Sequence, residues 1–503
     1  MTANILLTTL NARYMHSAFG LRYLYANLGS LQSQARIEEF TIQQRPIDIA
    51  EKLLASQPEI IAFSVYIWNV TETSEVIALI GTIAPQVSII VGGPEVSFPQ
   101  DLPDLCEQVA YIITGPGEIS LAKLCEKLLA GKPPASKIIS GESVPLDQLK
   151  LPYQFYTDED IRNRLIYVEA SRGCPFKCEF CLSSLDKTAV AFDLERFLGE
   201  MDSLYQRGAR NFKFIDRTFN LKVSTSVAIL EFFLARMTDD LYLHFEVIPD
   251  NLPDKLKAIL IKFPANSLQF EIGVQTFDPE IQKLISRKQN NQKTCENLLW
   301  LRENTGAHIH ADLIFGLPED SLENFARSFN QLAVLKPQEI QLGILKRLRG
   351  APINRHTDWY QLRYNPKAPY NILSTRDINF ATMQRINRFA RFWDMIGNSG
   401  RFRETLPGIL GDDPFNRFLQ LSDTMYQLAE STWKISLKRI FELLYTIMTR
   451  NLQMDPDTVG TLLARDYGRS GQKGQLSFEP PKFKVTARTG VANKRQQKHS
   501  DAF

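Results

Sequence analysis

The stretch Glu169-Ala-Ser-Arg-Gly-Cys174-Pro-Phe-Lys-Cys178-Glu-Phe180-Cys181 places three of the chain's six cysteines within eight positions, directly after the β-rich run 165–170. A disulfide framework spreads cysteine pairs along a short secreted chain, which this 503-residue sequence is not. The other three, Cys106, Cys125 and Cys295, are scattered through segments of helical pattern. Clustered thiols suit soft metals, and a structural zinc would want a fourth Cys or His that the loop does not offer. Three thiolates can each take one iron of a cuboidal iron–sulfur cluster, which leaves the fourth iron open to a substrate or cofactor.

Outward from this loop, strand and helix patterns alternate. Strand-like runs at 165–170, 211–216, 243–248, 268–274, 308–315 and 339–345 make six βα units, as in a partial parallel (β/α)6 barrel that works at its C-terminal strand ends. Upstream, runs at 4–9, 37–40, 60–64, 88–91 and 111–114 alternate with amphipathic stretches, the rhythm of a flavodoxin-like, doubly wound α/β domain. The expected organisation is therefore a doubly wound domain at 1–132, a polar, Pro-dotted linker at 133–163, the barrel at 164–350 and a helical appendage at 351–467. The tail 468–503 carries eight Lys and Arg against two acids without periodicity and reads as disordered.

Composition narrows the class. With 44% hydrophobic and 23% charged residues the chain is globular, and its formal charge of +2 gives no electrostatic case for a nucleic-acid or membrane partner. Apolar runs fall short of the ~18 residues a spanning helix needs. The start reads as a strand rather than a signal peptide, so the expected location is cytoplasmic.

The cysteine spacing CxxxCxxC, with Phe180 before its last member, resembles the hallmark of the radical S-adenosylmethionine (SAM) superfamily. The resemblance implies that Cys174, Cys178 and Cys181 hold a 4Fe–4S cluster whose open iron chelates SAM, and that Phe180 borders the adenine. It also implies an external electron donor of flavodoxin or ferredoxin type. Asp312-Leu-Ile314-Phe-Gly316-Leu-Pro-Glu319 is similar to the family's GxIxGxxE strand, with Asp for the first Gly, and so is expected to line the adenine. Asp216 stands in the segment that in the family holds the SAM amino group. Glu246, Glu271 and Gln275, at or near strand ends, are expected to contact ribose or the amino-acid part, since a charged group inside a barrel must be hydrogen-bonded or functional.

In the first domain, small residues end three adjacent strands: Ser64-Val-Tyr66, Gly92-Gly93 and Gly115-Pro-Gly117-Glu118. Such ends let a large ligand approach the backbone closely. Together they resemble the cobalamin-binding domain found ahead of many radical SAM barrels. Against its DxHxxG, SxL and GG motifs, this chain has Tyr14 for the Asp and one extra residue between His16 and Gly20. The resemblance implies cobalamin contacts from His16, Ser64, Tyr66, Gly92, Gly93, Gly115, Gly117 and Glu118, with His16 a candidate axial ligand.

The expected function is cobalamin-dependent radical SAM chemistry, with methyl transfer to an unactivated carbon of an unknown substrate. A non-methylating radical rearrangement and a non-catalytic Fe–S or cobalamin sensor are the alternatives. A methylthiotransferase needs three further N-terminal cysteines, where this chain has only Cys106 and Cys125. The basic run Lys346-Arg347-Leu-Arg349 is read either as facing an anionic substrate or as a solvated loop.

Overall fold

The computed structural model describes residues 4–472 and 474–478 and divides the chain into two compact units. The first comprises Met1–Arg217, Lys346–Asn354 and Asn365–Asn371; the second comprises Thr218–Leu345, Arg355–Tyr364 and Ile372–Phe503.

In the first unit, β1 (Ile5–Asn11) is buried along its whole length because it lies inside a parallel sheet. With β2 (Ala35–Thr41), β3 (Ile60–Ser64), β4 (Ser88–Gly92), β5 (Tyr111–Thr114) and β6 (Ile138–Ser140), the order is β2-β1-β3-β4-β5-β6. The two-residue strand period sends Leu6 and Leu10 to one face and Ile5 and Leu7 to the other. Helices α2 (Pro46–Leu54) and α3 (Val70–Ile83) cover the first face through Ile49, Leu53, Val76 and Ile80. On the second face α1 (Phe19–Ala26) and α4 (Glu118–Leu129) pack Leu21, Leu121 and Leu124. Each such buried leucine or isoleucine contributes about 1.5–3 kcal/mol. Strand order reverses between β1 and β3, so the ligand crevice of this architecture lies at the C-terminal edge beside them.

The segment expected to be a linker is built into the unit. Ile138–Ser140 pairs with β5, which makes six strands where the sequence suggested five. A three-residue strand, exposed at both ends, carries too little pattern to be read beforehand. Helix α5 (Asp158–Asn163) starts at a capping box between Thr157 and Asp160, and Asp160 also meets the buried Arg22 at 2.7 Å. Beyond it come β7 (Ile166–Val168), the antiparallel pair β8 (Ser171–Arg172) and β9 (Val190–Ala191), α6 (Leu194–Gln206), and β10 (Asn211–Phe214), which runs parallel to β7.

In the second unit β11 (Tyr242–Val247), β12 (Leu268–Gln275), β13 (His308–Phe315) and β14 (Glu339–Ile344) pair in sequence, all parallel. Between and around them run α7 (Val223–Leu234), α8 (Asp254–Leu260), α9 (Pro279–Leu284), α10 (Asn291–Asn304) and α11 (Leu322–Leu335). All six expected barrel strands are thus present, with ends within three residues of their expected positions. Phe245, Phe270, Ile272, Ala311 and Leu313 are buried on one face of β11–β14. The alternate positions carry His244, Glu246, Glu271, His310, Asp312 and Gln341, a polar face unlike the apolar run of a sheet sealed on both sides.

Helices α12 (Phe380–Met395), α13 (Thr405–Leu410), α14 (Pro414–Ala429), α15 (Leu437–Arg450) and α16 (Pro456–Arg469) form the expected helical region. It shares a core with α11: the Phe329 ring lies 4.9 Å from Trp393, 5.3 Å from Phe389 and 5.9 Å from Phe415, between ring centroids. Trp393 also donates its indole N–H to the Ile340 carbonyl at 2.9 Å. The tail 468–503 lies mostly outside the described residues. Among the described residues no helix is long and apolar enough to cross a membrane.

Candidate functional site

The cysteine loop is shaped by its backbone. Gly173 sits at φ +94°, and a Cβ there would run into the Thr188 carbonyl. The Cys174 N–H donates to the Asp186 carbonyl at 3.1 Å, and the Asp186 carboxylate in turn accepts from the Thr188 N–H and hydroxyl. Cys181 N–H donates to the Cys178 carbonyl at 3.1 Å, while Ser184 caps the Cys181 carbonyl with its hydroxyl at 2.6 Å. None of the three cysteines is in a disulfide; Cys174 and Cys178 are buried and Cys181 is half-buried.

Burial pushes the Cys174 thiol up, the Phe176 N–H pulls it partly back, and the nearby Cys181 and Cys178 push it up again. Among the described residues no three His, Cys, Asp or Glu side chains converge as a single metal ion requires. A zinc ion at Zn–S 2.3 Å needs sulfurs about 3.8 Å apart. Three cysteines in one loop fit a cluster that gives each its own iron.

Behind the loop, Asp216 is buried and accepts the Ala170 N–H at 2.9 Å and the Ser171 hydroxyl at 2.6 Å. Burial pushes its carboxyl up to about 7, with the two hydrogen bonds opposing. Its side chain thus holds the start of the cysteine loop, while Phe180 is half-buried just before Cys181. Arg172, which sequence reasoning passed over, pairs at 2.7 Å with both Glu118 and Glu169.

The cobalamin candidates all lie in the first unit, at the C-terminal edge of its sheet. Buried Asn69, also missed in the sequence, ties the strand ends together. Its side-chain N–H donates to the Thr9 hydroxyl at 3.1 Å, the Leu10 carbonyl at 3.0 Å and the Ser64 carbonyl at 3.2 Å, and its oxygen accepts the Tyr66 N–H at 2.8 Å. Tyr66 stacks on the exposed Trp68 at 4.3 Å between centroids. Gly93 is a glycine for a structural reason: at φ +110° its missing Cβ would meet the Val65 carbonyl at 2.6 Å. Gly92 has room, and Gly115, at φ +73°, faces open space while its N–H donates to Ser97 at 3.1 Å.

His16 takes an anchoring position. Its Nδ1 lies 2.7 Å from the Tyr167 hydroxyl, it bridges Leu165 in parallel, and burial lowers its pKa. Glu118 opens α4 with its carboxylate on Arg172, and Gly117 packs closely on Leu24. The basic run resolves differently from either expectation. Arg347 pairs with Asp101 at 2.7 Å, and Arg349 pairs with the buried Glu95 at 2.8 Å and also with Asp101. Both arginines are thus spent on the loop after Gly92-Gly93-Pro94.

In the second unit, Glu246, Glu271 and Asp312 share the polar sheet face; Glu246 is in register with Glu271, and Asp312 with Gly273. His244 lies 3.0 Å from Glu271, and His310 lies 3.3 Å from Asp312. Gln275 sits at φ +69° past an irregularity in the β12–β13 register, and its amide occupies the space beside Gly273. Ile314 is half-buried. Gly316, at φ +90°, faces Ile372 of a short strand and Met383 of α12, so its missing Cβ admits both. Asp320, not singled out in the sequence, accepts the Gly316 N–H at 3.2 Å and fixes that turn.

Residues 5–124 match the model of the B12 binding domain, 168–332 that of the Radical SAM superfamily, and 358–499 a protein of unknown function, DUF4080. An uncharacterized methyltransferase of Pyrococcus horikoshii is 22% identical over 55% of this chain and 64% of its own length. The 2-(S-pantetheinyl)-carbapenam-3-carboxylate methyltransferase of Streptantibioticus cattleyicolor is 26% identical over 63% of this chain and 51% of its own length. The chain thus spans less than two thirds of each of these relatives. The solved structure of the cobalamin-dependent S-adenosylmethionine radical enzyme OxsB with aqua-cobalamin bound superposes with a TM-score of 0.63 at 15% identity, over 93% of this chain and 84% of that one. That likeness shows the fold.

Proposed function

We propose that this chain, a radical SAM superfamily protein with a B12-binding domain ahead of its radical SAM domain, is a cobalamin-dependent radical SAM methyltransferase acting on an unactivated carbon. The observation that carries the reading is the loop of three closely spaced cysteines built into the same compact unit as the Ser64, Gly92 and Gly115 strand ends. When bound, the cluster with SAM supplies a hydrogen-abstracting radical, and cobalamin supplies a methyl carrier.

The chain's own residues bind, orient and shield. Cys174, Cys178 and Cys181 hold the cluster as thiolates. Asp216 and Gly173 fix the loop that carries them, and Phe180 borders the adenine. Glu246, Glu271, Gln275, Asp312 and Ile314 offer SAM hydrogen bonds and a wall from the polar sheet face. Ser64, Tyr66, Gly92, Gly93, Gly115, Gly117 and Glu118 form the cobalamin cradle, where backbone rather than bulky side chains meets the ring. His16, tied to Tyr167 through Nδ1, anchors the loop and keeps Nε2 as the candidate cobalt contact. An external donor of flavodoxin or ferredoxin type delivers the electron, and a reducing, cytoplasmic setting keeps the thiols free.

Anaerobic reconstitution with iron, sulfide and hydroxocobalamin tests the reading. We expect cluster and corrin absorbance to survive desalting. With SAM and reductant, 5′-deoxyadenosine should form and disappear in Cys178→Ala, and S-adenosylhomocysteine should build up only if methyl groups move. Deoxyadenosine without S-adenosylhomocysteine, in the presence of substrate, would favour a non-methylating rearrangement. Retained cofactors with no SAM cleavage would favour a sensor.

A further inference from the structure

Arg172 stands two residues before Cys174 and reaches in two directions at once. One guanidinium nitrogen meets the Glu118 carboxylate at 2.7 Å; a second meets Glu169 at 2.7 Å, with Nε at 3.2 Å from the same oxygen. The plane lies 4.7 Å over the Tyr23 ring and 5.8 Å over the Phe192 ring. Both carboxylates are nearly closed to solvent, at 12% and 7% side-chain exposure, against 31% for the arginine. Glu118 is the first residue of α4, directly after Gly115-Pro-Gly117, while Glu169 begins the stretch that ends at Cys181.

A planar, always-charged fork can serve two carboxylates on different elements, which a lysine's single ammonium cannot do with the same geometry. Without it, two poorly solvated carboxylates are left without their partner, a costly state that structure relieves by drawing the groups apart. The α4 entrance and the cysteine loop therefore hold their relative positions through this side chain.

We propose that Arg172 is a positioning residue that couples cobalamin binding to cluster binding, so that each cofactor raises the protein's affinity for the other. This rests on the assignment of Gly115–Glu118 to cobalamin and of Cys174, Cys178 and Cys181 to the cluster. A cluster that orders the cysteine loop fixes Arg172, Arg172 fixes Glu118, and the α4 entrance is then set before cobalamin arrives. By linkage the reverse effect has the same size. Couplings of this kind commonly amount to about 5- to 150-fold, and a double ion pair of this burial places the expectation near tenfold.

Hydroxocobalamin is titrated by visible absorbance, under anaerobic conditions, into full-length protein with and without reconstituted cluster. Wild type is expected to bind about tenfold more tightly with the cluster in place. Glu118→Gln and Arg172→Ala should bind with one affinity in both states, and Arg172→Lys should recover part of the difference. Arg45→Ala, which breaks an exposed pair with Asp48, should behave as wild type. A wild-type affinity that ignores the cluster, or a difference that persists in Glu118→Gln and Arg172→Ala, overturns the coupling while cobalamin binding itself stands. Should Arg172→Ala fail to fold, Glu118→Gln decides alone. Absence of hydroxocobalamin binding in every form overturns the proposed function and the coupling together.

Discussion

Gly173 shows how closely a single residue can be specified. Its φ of +94° and the Thr188 carbonyl beside it leave no place for a methyl group, so Gly173→Ala must move the loop that carries Cys174. The expected result is loss of more than half the iron bound per chain after reconstitution, with the far-ultraviolet circular dichroism of the apo protein unchanged. Asp216 leaves a signature in pH. Burial holds its carboxyl up at about 7, above the ordinary 3.8, so between those values the folded chain holds a proton that the unfolded chain has released. That stabilisation is fully present below about pH 4 and is lost as pH rises towards 7. Asp216→Asn removes it, so the stability difference, variant minus wild type, should rise by about 2–4 kcal/mol from pH 4 to 7 in apo-protein urea melts. A flat difference would show that the carboxyl is already ionised when folded.

Elements were legible where pattern was dense. Apolar runs such as Ile60-Ile-Ala-Phe63 and Ile89-Ile-Val91 read directly as strands because burial on both faces demands hydrophobic residues at successive positions. The cysteine loop was legible because covalent spacing fixes its chemistry. The polar residues that lock the site were not, since Arg172 meets Glu118 from 54 positions away and Asn69 reaches Thr9 from 60. Nothing local in the sequence records either contact. Gly93 and Gly316 also carry a packing constraint that no local pattern records, since a Cβ would meet the Val65 carbonyl at the first and Ile372 and Met383 at the second. Asn69→Ala should test how much the strand ends depend on one amide. It strands the Ser64 and Leu10 carbonyls and should cost about 1–3 kcal/mol in denaturant melts, with weaker retention of hydroxocobalamin on desalting.

At the scale of the whole molecule, the C-terminal helices are part of the second unit's core rather than a detachable module. Phe329 of α11 is buried among Phe389, Trp393 and Phe415. Phe329→Ala should cost about 3–5 kcal/mol in the same melts. A chain ending at residue 357 should be recovered as aggregate, because the exposed ring and its neighbours have no other cover.

The first unit is likewise not a continuous stretch of chain: Arg349, which neutralises buried Glu95, lies 254 positions downstream of it. On a ribosome adding 5–20 residues per second, Glu95 waits roughly 13–50 s for that partner. Through that interval its carboxylate must stay hydrated, and the loop beyond Gly93 stays open. The nascent amino-terminal sheet therefore reaches its final form only after most of the barrel has been synthesised, and slower translation before codon 349 lengthens the time it spends as a client for chaperones.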